Sequence, residues 1–301
     1  MPRIVITQDL GLSPENINRL KGLGDVKFYN NHAKTPEEWI ERCQGADIIC
    51  TGKLGLKQKY QELKDVYISL PFVGVGFFDK KILKERNIIV SNAPGCNKDG
   101  VSEWIIFMLL NLFREFYNVI NVNSMDSGRP KAVTKSLAKK SVCILGKGNI
   151  GSKVGRVCEA FDMKVSYFTR GMNLIDTIKE ADAVINCLAT NEDTLGLLDR
   201  DFFFSFKKGS YFINVCDYVI YDINALIDAL DQKIIERAAI DAMGIQVGDT
   251  SDSFYQKILA HNKIIATPHI AWGTDVNDEL GNKMIIDNIE AYINGNPINL
   301  I

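Results

Sequence analysis

Gly146-Lys-Gly-Asn-Ile-Gly151 sets three glycines at the spacing GxGxxG, directly after the apolar run Ser141-Val-Cys-Ile-Leu145 and ahead of a helical pattern. In that context each glycine has its own task. Gly146 permits a tight turn, Gly148 lets the backbone approach a pyrophosphate, and Gly151 allows a helix to pack closely on a strand. The helix N-terminus, with Asn149 and Ile150, presents free N–H groups and a partial positive charge to phosphates. The pattern predicts a dinucleotide site. The alternative is a glycine-rich strand-to-helix turn that holds no ligand.

A carboxylate at the end of the following strand, roughly 20 residues beyond the glycines, would hold a ribose 2′-hydroxyl. That end reads Val165-Ser-Tyr-Phe-Thr-Arg170, with Thr169 at the acidic position. Without the carboxylate nothing repels a 2′-phosphate, and Arg170 can attract one. These residues point to NADP, with NAD as the second possibility and an ordinary exposed arginine as the bland one.

The elements that must position these residues form two series. Short β-branched runs alternate with amphipathic stretches: strands are expected at 4–6, 26–29, 46–50, 66–69, 72–75 and 88–90, and helices near 13–22, 36–44 and 79–85. A long apolar helix at 101–114 and a polar connection near 123–140 follow. A second series has strands at 141–145, 164–168, 183–187, 211–214, 238–240 and 263–266, and the tail from Thr274 reads as one helix stopped at Gly295. Strands separated by helices predict parallel sheets covered on both faces. At 301 residues the chain is long enough for two domains.

Composition narrows the function classes. A net charge of -2 excludes nucleic acid as the main partner. Seven cysteines lie without CxxC spacing, several of them within apolar runs, as small buried hydrophobes of a reducing compartment. No apolar stretch approaches the ~20 residues that span a bilayer, and no leader-like segment precedes the first strand. The expected location is the cytoplasm, with neither a membrane nor a metal involved.

Several segments together resemble the D-isomer-specific 2-hydroxyacid dehydrogenases, the glycerate (hydroxypyruvate) and phosphoglycerate dehydrogenase group. They are Val73-Gly-Val-Gly76, Ser91-Asn-Ala-Pro-Gly95, Val101-Ser-Glu103, the glycine motif, Ile213-Asn214, Asp222, Ala225-Leu226, Ala239-Ile-Asp241 and Thr267-Pro-His-Ile-Ala-Trp272. The resemblance implies an α/β fold of two doubly wound parallel-sheet domains. Residues 1–95 with 271–301 would form a flavodoxin-like substrate domain, and 96–270 a Rossmann dinucleotide-binding domain. It places the active site in the cleft between them.

It also implies a chemistry. His269 matches the family's acid/base histidine and would donate a proton to a carbonyl oxygen as hydride arrives from the nicotinamide. Asp241 matches the aspartate that contacts the nicotinamide carboxamide. Gln246 stands at the carboxylate position that orients the histidine; an amide can orient an imidazole without supplying charge. Asp217 stands where the family has its substrate-binding arginine. A unit charge about 4 Å from a substrate carboxylate, at an effective dielectric of about 20, is worth about 4 kcal/mol, and here its sign is reversed.

A simple 2-oxo acid would then need another cation, and Lys53 and Lys98 are the candidates, although lysines so placed are more often solvated surface residues. Backbone amides at Val75, Gly76 and Phe77 form the expected carboxylate cradle. The inserted pair Phe77-Phe78 suggests a more apolar substrate pocket. Two readings stay open: an oxidoreductase acting on a small 2-oxo acid or related carbonyl substrate, and a dinucleotide-binding protein that kept the fold and lost turnover. A homodimer through the apolar segment around 101–120 is the expected assembly.

Overall fold

A computed structural model describes residues 1–116, 125–126, 129–130 and 134–301. The chain divides into two compact units, Met1–Asn97 with Gly273–Ile301, and Lys98–Trp272.

In the first unit, β1 (Arg3–Ile6), β2 (Asp25–Phe28), β3 (Ile48–Cys50), β4 (Val66–Ser69) and β5 (Ile88–Ser91) form a parallel sheet in the order β2-β1-β3-β4-β5. Every residue of β3 and β4 is buried, as expected for strands with both faces covered. The covering helices start on capping residues followed by proline: Ser13 accepts from the Asn16 N–H ahead of Pro14–Leu23, and Thr35 from the Glu38 N–H ahead of Pro36–Cys43. The C-terminal helix Asp275–Ile293 completes the layer. Its Ile285, Ile286 and Ile289 pack with Ile4, Ile6 and Tyr67, and Tyr292 stacks on Tyr67 with ring centres 4.0 Å apart.

The expected strand at 72–75 does not form. The chain leaves the sheet after Ser69 and runs irregularly past Pro71, Gly74 and Gly76. Glycine and proline weaken strand pairing, and β5 already occupies the edge beside β4.

In the second unit, β6 (Met125–Asp126) and β7 (Arg129–Pro130) make a short antiparallel pair; the rest of the expected 123–140 connection up to residue 133 lies outside the described residues. The main sheet comprises β8 (Ser141–Leu145), β9 (Lys164–Phe168), β10 (Ala183–Asn186), β11 (Ser210–Asn214), β12 (Ile235–Asp241) and β13 (Ile264–Thr267). Its order is β13-β12-β11-β10-β8-β9, parallel throughout. Both units are therefore doubly wound parallel α/β sheets. The strand order reverses between β8 and β10, the position where open α/β sheets bind ligands beyond their carboxyl ends.

The apolar helix runs from Lys98 to Arg114. Its Val101, Ile105, Met108, Leu109, Leu112 and Phe113 are buried with Val142, Ile144, Val154 and Ile213 of the same unit, so most of its apolar surface is used within the fold. Phe107 remains 55% exposed on the opposite face. No helix among the described residues is long and apolar enough to cross a membrane.

Candidate functional site

The glycine motif joins β8 to the helix Asn149–Ala160, and each glycine is there for a different reason. Gly146 has φ +95°, and a Cβ on it would lie 3.0 Å from the Cys187 carbonyl oxygen at the end of β10. A Cβ on Gly151 would fall 2.1 Å from the Gly146 carbonyl oxygen. Gly148 faces open space, with nothing within 4 Å of where its Cβ would be. As the residue that precedes the helix it offers no capping side chain, so the N–H groups of the first turn, at Asn149, Ile150 and Gly151, have no side-chain acceptor. An uncapped helix start beside an open glycine suits a pyrophosphate. Deeper in the helix Lys153 bonds Asp99 at 2.5 Å and holds that carboxyl below its usual range.

Thr169 and Arg170 follow β9 at the same edge of the sheet. The Thr169 hydroxyl faces the Met172 sulfur at 3.4 Å. Arg170 is paired with Asp193 from the segment after β10, both strongly exposed. Such a pair is worth about 0 to 1 kcal/mol in water, so a competing phosphate can displace the aspartate.

His269 stands two residues beyond β13, in a turn held by β12. Asp241, the last residue of β12, is only 3% exposed. Its Oδ1 accepts from the Thr267 hydroxyl at 2.6 Å and the Ile270 N–H at 2.9 Å, and its Oδ2 from the Ala271 N–H at 3.0 Å. Between these anchors His269 adopts φ +58°, a left-handed conformation uncommon for residues other than glycine. Its Nδ1 lies 3.1 Å from the Ile245 carbonyl oxygen. A carbonyl only accepts, so Nδ1 carries the proton and Nε2 is the atom that gains or releases one. The Trp272 indole N–H bonds the His269 carbonyl oxygen at 3.1 Å.

Gln246 is exposed, and the group that meets Nδ1 is the carbonyl of its neighbour Ile245 rather than its own amide. Nδ1 thus meets a backbone oxygen one residue before the position at which the orienting group was expected. Asp217 follows β11 and caps the short turn Tyr218–Ile220, accepting from the Val219 N–H at 3.2 Å. A Cβ on Gly244 would lie 2.8 Å from the Asp217 Oδ1, and the Tyr218 N–H bonds the Met243 carbonyl at 3.2 Å. The segment Met243–Ile245 is therefore met by Tyr218 at Met243, by Asp217 at Gly244 and by His269 at Ile245.

Two further groups lie at this edge. Asn186 and Asn214, fully buried at the ends of β10 and β11, bond side chain to side chain at 2.8 Å. Asn214 also donates to the Cys216 carbonyl, fixing the chain just before Asp217. A polar residue ending each of two apolar strands was a readable signal. The Ile245 carbonyl carried none, because a backbone acceptor leaves no mark on residue type.

The expected substrate residues of the first unit lie beyond the carboxyl ends of its strands. Lys53 follows β3 and sits over the Phe72 ring at 5.1 Å. Val75, Gly76 and Phe77 lie in the loop after β4, where the Phe78 N–H bonds the Val75 carbonyl at 3.2 Å. Phe78 turns inward, 9% exposed, with its ring 4.8 Å from Tyr60. Phe77 lies 4.4 Å from Phe78. Phe78 thus extends the unit's own core, while Phe77 stays half-buried against it.

Comparison with known proteins adds independent findings. Residues 106–271 match the family model described as D-isomer specific 2-hydroxyacid dehydrogenase, NAD binding domain. A D-lactate dehydrogenase of Streptococcus agalactiae serotype III is 25% identical over 266 residues, covering 79% of this chain and 81% of its own. A glycerate dehydrogenase of Methylorubrum extorquens is 25% identical over 281 residues, covering 89% of each. Among solved structures, an acyclic imino acid reductase in complex with NADPH and D-Arg superposes with a TM-score of 0.85 at 24% identity, covering 99% of both chains. A glyoxylate reductase from Paecilomyes thermophila gives 0.84 at 19%, covering 100% of this chain and 98% of its own. These two structural likenesses speak for the fold.

Proposed function

Because the chain belongs to the D-isomer specific 2-hydroxyacid dehydrogenase family, and so to the NAD(P)-dependent oxidoreductases of 2-hydroxy acids, we propose that it acts as an NADPH-dependent reductase of a small carbonyl acid with His269 as the proton donor. The observation that carries this reading is the state of His269: a buried carboxylate and a backbone carbonyl set its turn and its tautomer, leaving Nε2 as the exchanging atom. When bound, the nicotinamide supplies the hydride. Reduction of a 2-oxo acid needs that hydride at carbon and one proton at oxygen, and protonated His269 provides the latter. The pyrophosphate falls to the first turn at Gly148–Gly151. Thr169 and Arg170 favour a 2′-phosphate, which selects NADPH over NADH.

The test is a panel of 2-oxo acids and simple aldehydes with NADPH, followed by loss of its absorbance. His269→Ala should remove turnover while leaving NADPH affinity unchanged. Turnover that survives the substitution rejects His269 as the acid. Tight NADPH binding with no turnover on any substrate favours the dinucleotide-binding protein without catalysis.

Asp217 favours a second reading of the substrate. A carboxylate against the segment that also meets His269 attracts a cation rather than a second carboxylate. The imino acid reductase of similar fold is described with NADPH and D-Arg, a cationic amino acid. Faster turnover of a 2-oxo acid when ammonium is added would favour reduction of a C=N bond in this protein.

Two coarser inferences accompany this reading. The seven free thiols suit the reducing cytoplasm. The outer face of the helix Lys98–Arg114, where Phe107 is exposed, suits a homodimer, and sedimentation at micromolar concentration should show two chains; a monomer would reject it.

A further inference from the structure

We propose that Asp241 is a positioning residue that acts through His269, holding the histidine's turn in its left-handed conformation; this rests on the reading of His269 as the proton donor. The family likeness assigns this aspartate a contact with the cofactor. The hydrogen bonds it makes among the described residues give it a further task. Three donors meet its carboxylate, and all three belong to the turn: Thr267 on one side of His269, Ile270 and Ala271 on the other. Asp241 is 3% exposed, and a buried carboxylate is tolerated only where such donors replace its water.

The geometry explains why three bonds are needed. Asp241 and Thr267 are cross-strand partners at the ends of β12 and β13, so the carboxylate is fixed by the sheet. Just beyond, the Ala242 N–H bonds the Thr267 carbonyl at 2.8 Å, and Pro268 follows. His269 then turns through φ +58°, a conformation that costs about 1 kcal/mol or more for a residue with a side chain. Anchoring the backbone on both sides of the turn makes that conformation the stable one. It also keeps Nδ1 on the Ile245 carbonyl. With the anchor weakened, His269 relaxes to a common conformation and its imidazole leaves that acceptor.

The role separates from cofactor binding by substituting at both ends of the anchor. Asp241→Asn keeps the shape but places an NH2 against a donor. Thr267→Val removes one donor without touching Asp241, and Thr267→Ser restores it. The readouts are kcat and KM on whichever substrate the panel identifies, NADPH affinity by titration, and the histidine ring signals in nitrogen-correlated NMR. The protein has only three histidines, and His269→Gln assigns the relevant one.

The inference expects kcat to fall about 100-fold in Asp241→Asn, the size of a small misplacement of a catalytic group. It expects a fall of roughly fivefold to tenfold in Thr267→Val, the value of one hydrogen bond, with recovery in Thr267→Ser. NADPH affinity should stay within about twofold in all three. The His269 signals should lose the single Nδ1–H tautomer in the first two variants and regain it in the third. Weaker NADPH binding in Asp241→Asn, with unchanged His269 signals and an unaffected Thr267→Val, would overturn it in favour of a cofactor contact alone. If Asp241→Asn does not fold, the Thr267 pair decides by the same signals. Because the NMR arm reads geometry and not turnover, failure of His269 as the acid would show separately, as activity surviving His269→Ala.

Discussion

A side-chain carbon on Gly151 would fall 2.1 Å from the carbonyl oxygen of Gly146, five residues earlier. The first turn of the helix Asn149–Ala160 is thus pressed against the loop it leaves, and no other residue fits there without moving backbone.

Gly151→Ala should therefore destabilise the protein by about 1–3 kcal/mol through overpacking and lower its melting temperature before any cofactor is added. Gly148→Ala should behave differently. Its φ of -79° is ordinary and its Cβ would meet nothing within 4 Å, so the melting temperature should hold while NADPH affinity falls at least about tenfold, the methyl group occupying space next to the pyrophosphate. Equal loss of stability in both variants would contradict this division of labour.

Arg170 is paired with Asp193 in an exposed bridge. Arg170→Ala should narrow the preference for NADPH over NADH by about tenfold, the scale of one charge-assisted hydrogen bond. Asp193→Asn should widen it, because the arginine is released to the 2′-phosphate. Competitive titration with both cofactors measures the ratio, and a ratio unchanged in both variants removes Arg170 from the site.

Asp217→Arg should raise kcat/KM for glyoxylate or hydroxypyruvate by roughly 10-fold or more, since a guanidinium can bond a carboxylate with two parallel hydrogen bonds. If the natural substrate is cationic, the same change should abolish its turnover. A variant that alters neither places Asp217 in the turn Tyr218–Ile220 as a cap and nothing more.

Alkaline pH should unfold the protein early. Burial pushes the thiols of Cys43, Cys158 and Cys187 up to about 12 and those of Cys96 and Cys143 to about 11. Burial likewise pushes the Tyr67 hydroxyl to about 12. In the unfolded chain these thiols release protons near 9, so above that pH the native state binds more protons than the unfolded one. Stability is then complete below about pH 9 and is lost as pH rises towards 11 to 12, at up to about 1.4 kcal/mol per pH unit for each thiol. Urea midpoints at about pH 8 and about pH 10 should differ clearly, and Cys158→Ala should reduce the difference. Equal midpoints in the wild-type protein would refute it.

Much of this was legible in the sequence because it is written in residue types. The glycine motif declared itself through spacing and the run before it, and both parallel sheets through the alternation of β-branched and amphipathic stretches. Other features depend on what the chain meets in space. Val73 and Val75 look like a strand, yet the sheet edge they would join is already taken by β5. Phe78 looks like a pocket wall, and Tyr60 draws it inward. At His269 the residue was legible and its neighbours only in part: Asp241 was visible as a carboxylate, but its bonds to Thr267, Ile270 and Ala271 need the register of β12 against β13. The acceptor at Nδ1 is a main-chain oxygen, which any residue at position 245 would supply.

The first unit is assembled from both ends of the chain. Tyr292 stacks on Tyr67, Asn282 bonds the Leu10 carbonyl, Asn288 bonds the Asn92 carbonyl, and Leu300 bridges to Ser91. On the ribosome, residues 1–97 emerge before the unit that interrupts them yet wait for 273–301, which are made after it, while the intervening unit already holds all the residues of its own sheet. The order of synthesis and the order of completion are therefore opposite. A chain halted after Trp272 should carry a folded second unit behind an N-terminal segment open to proteases, so any quality control that samples the nascent protein meets the first unit in its unfinished state.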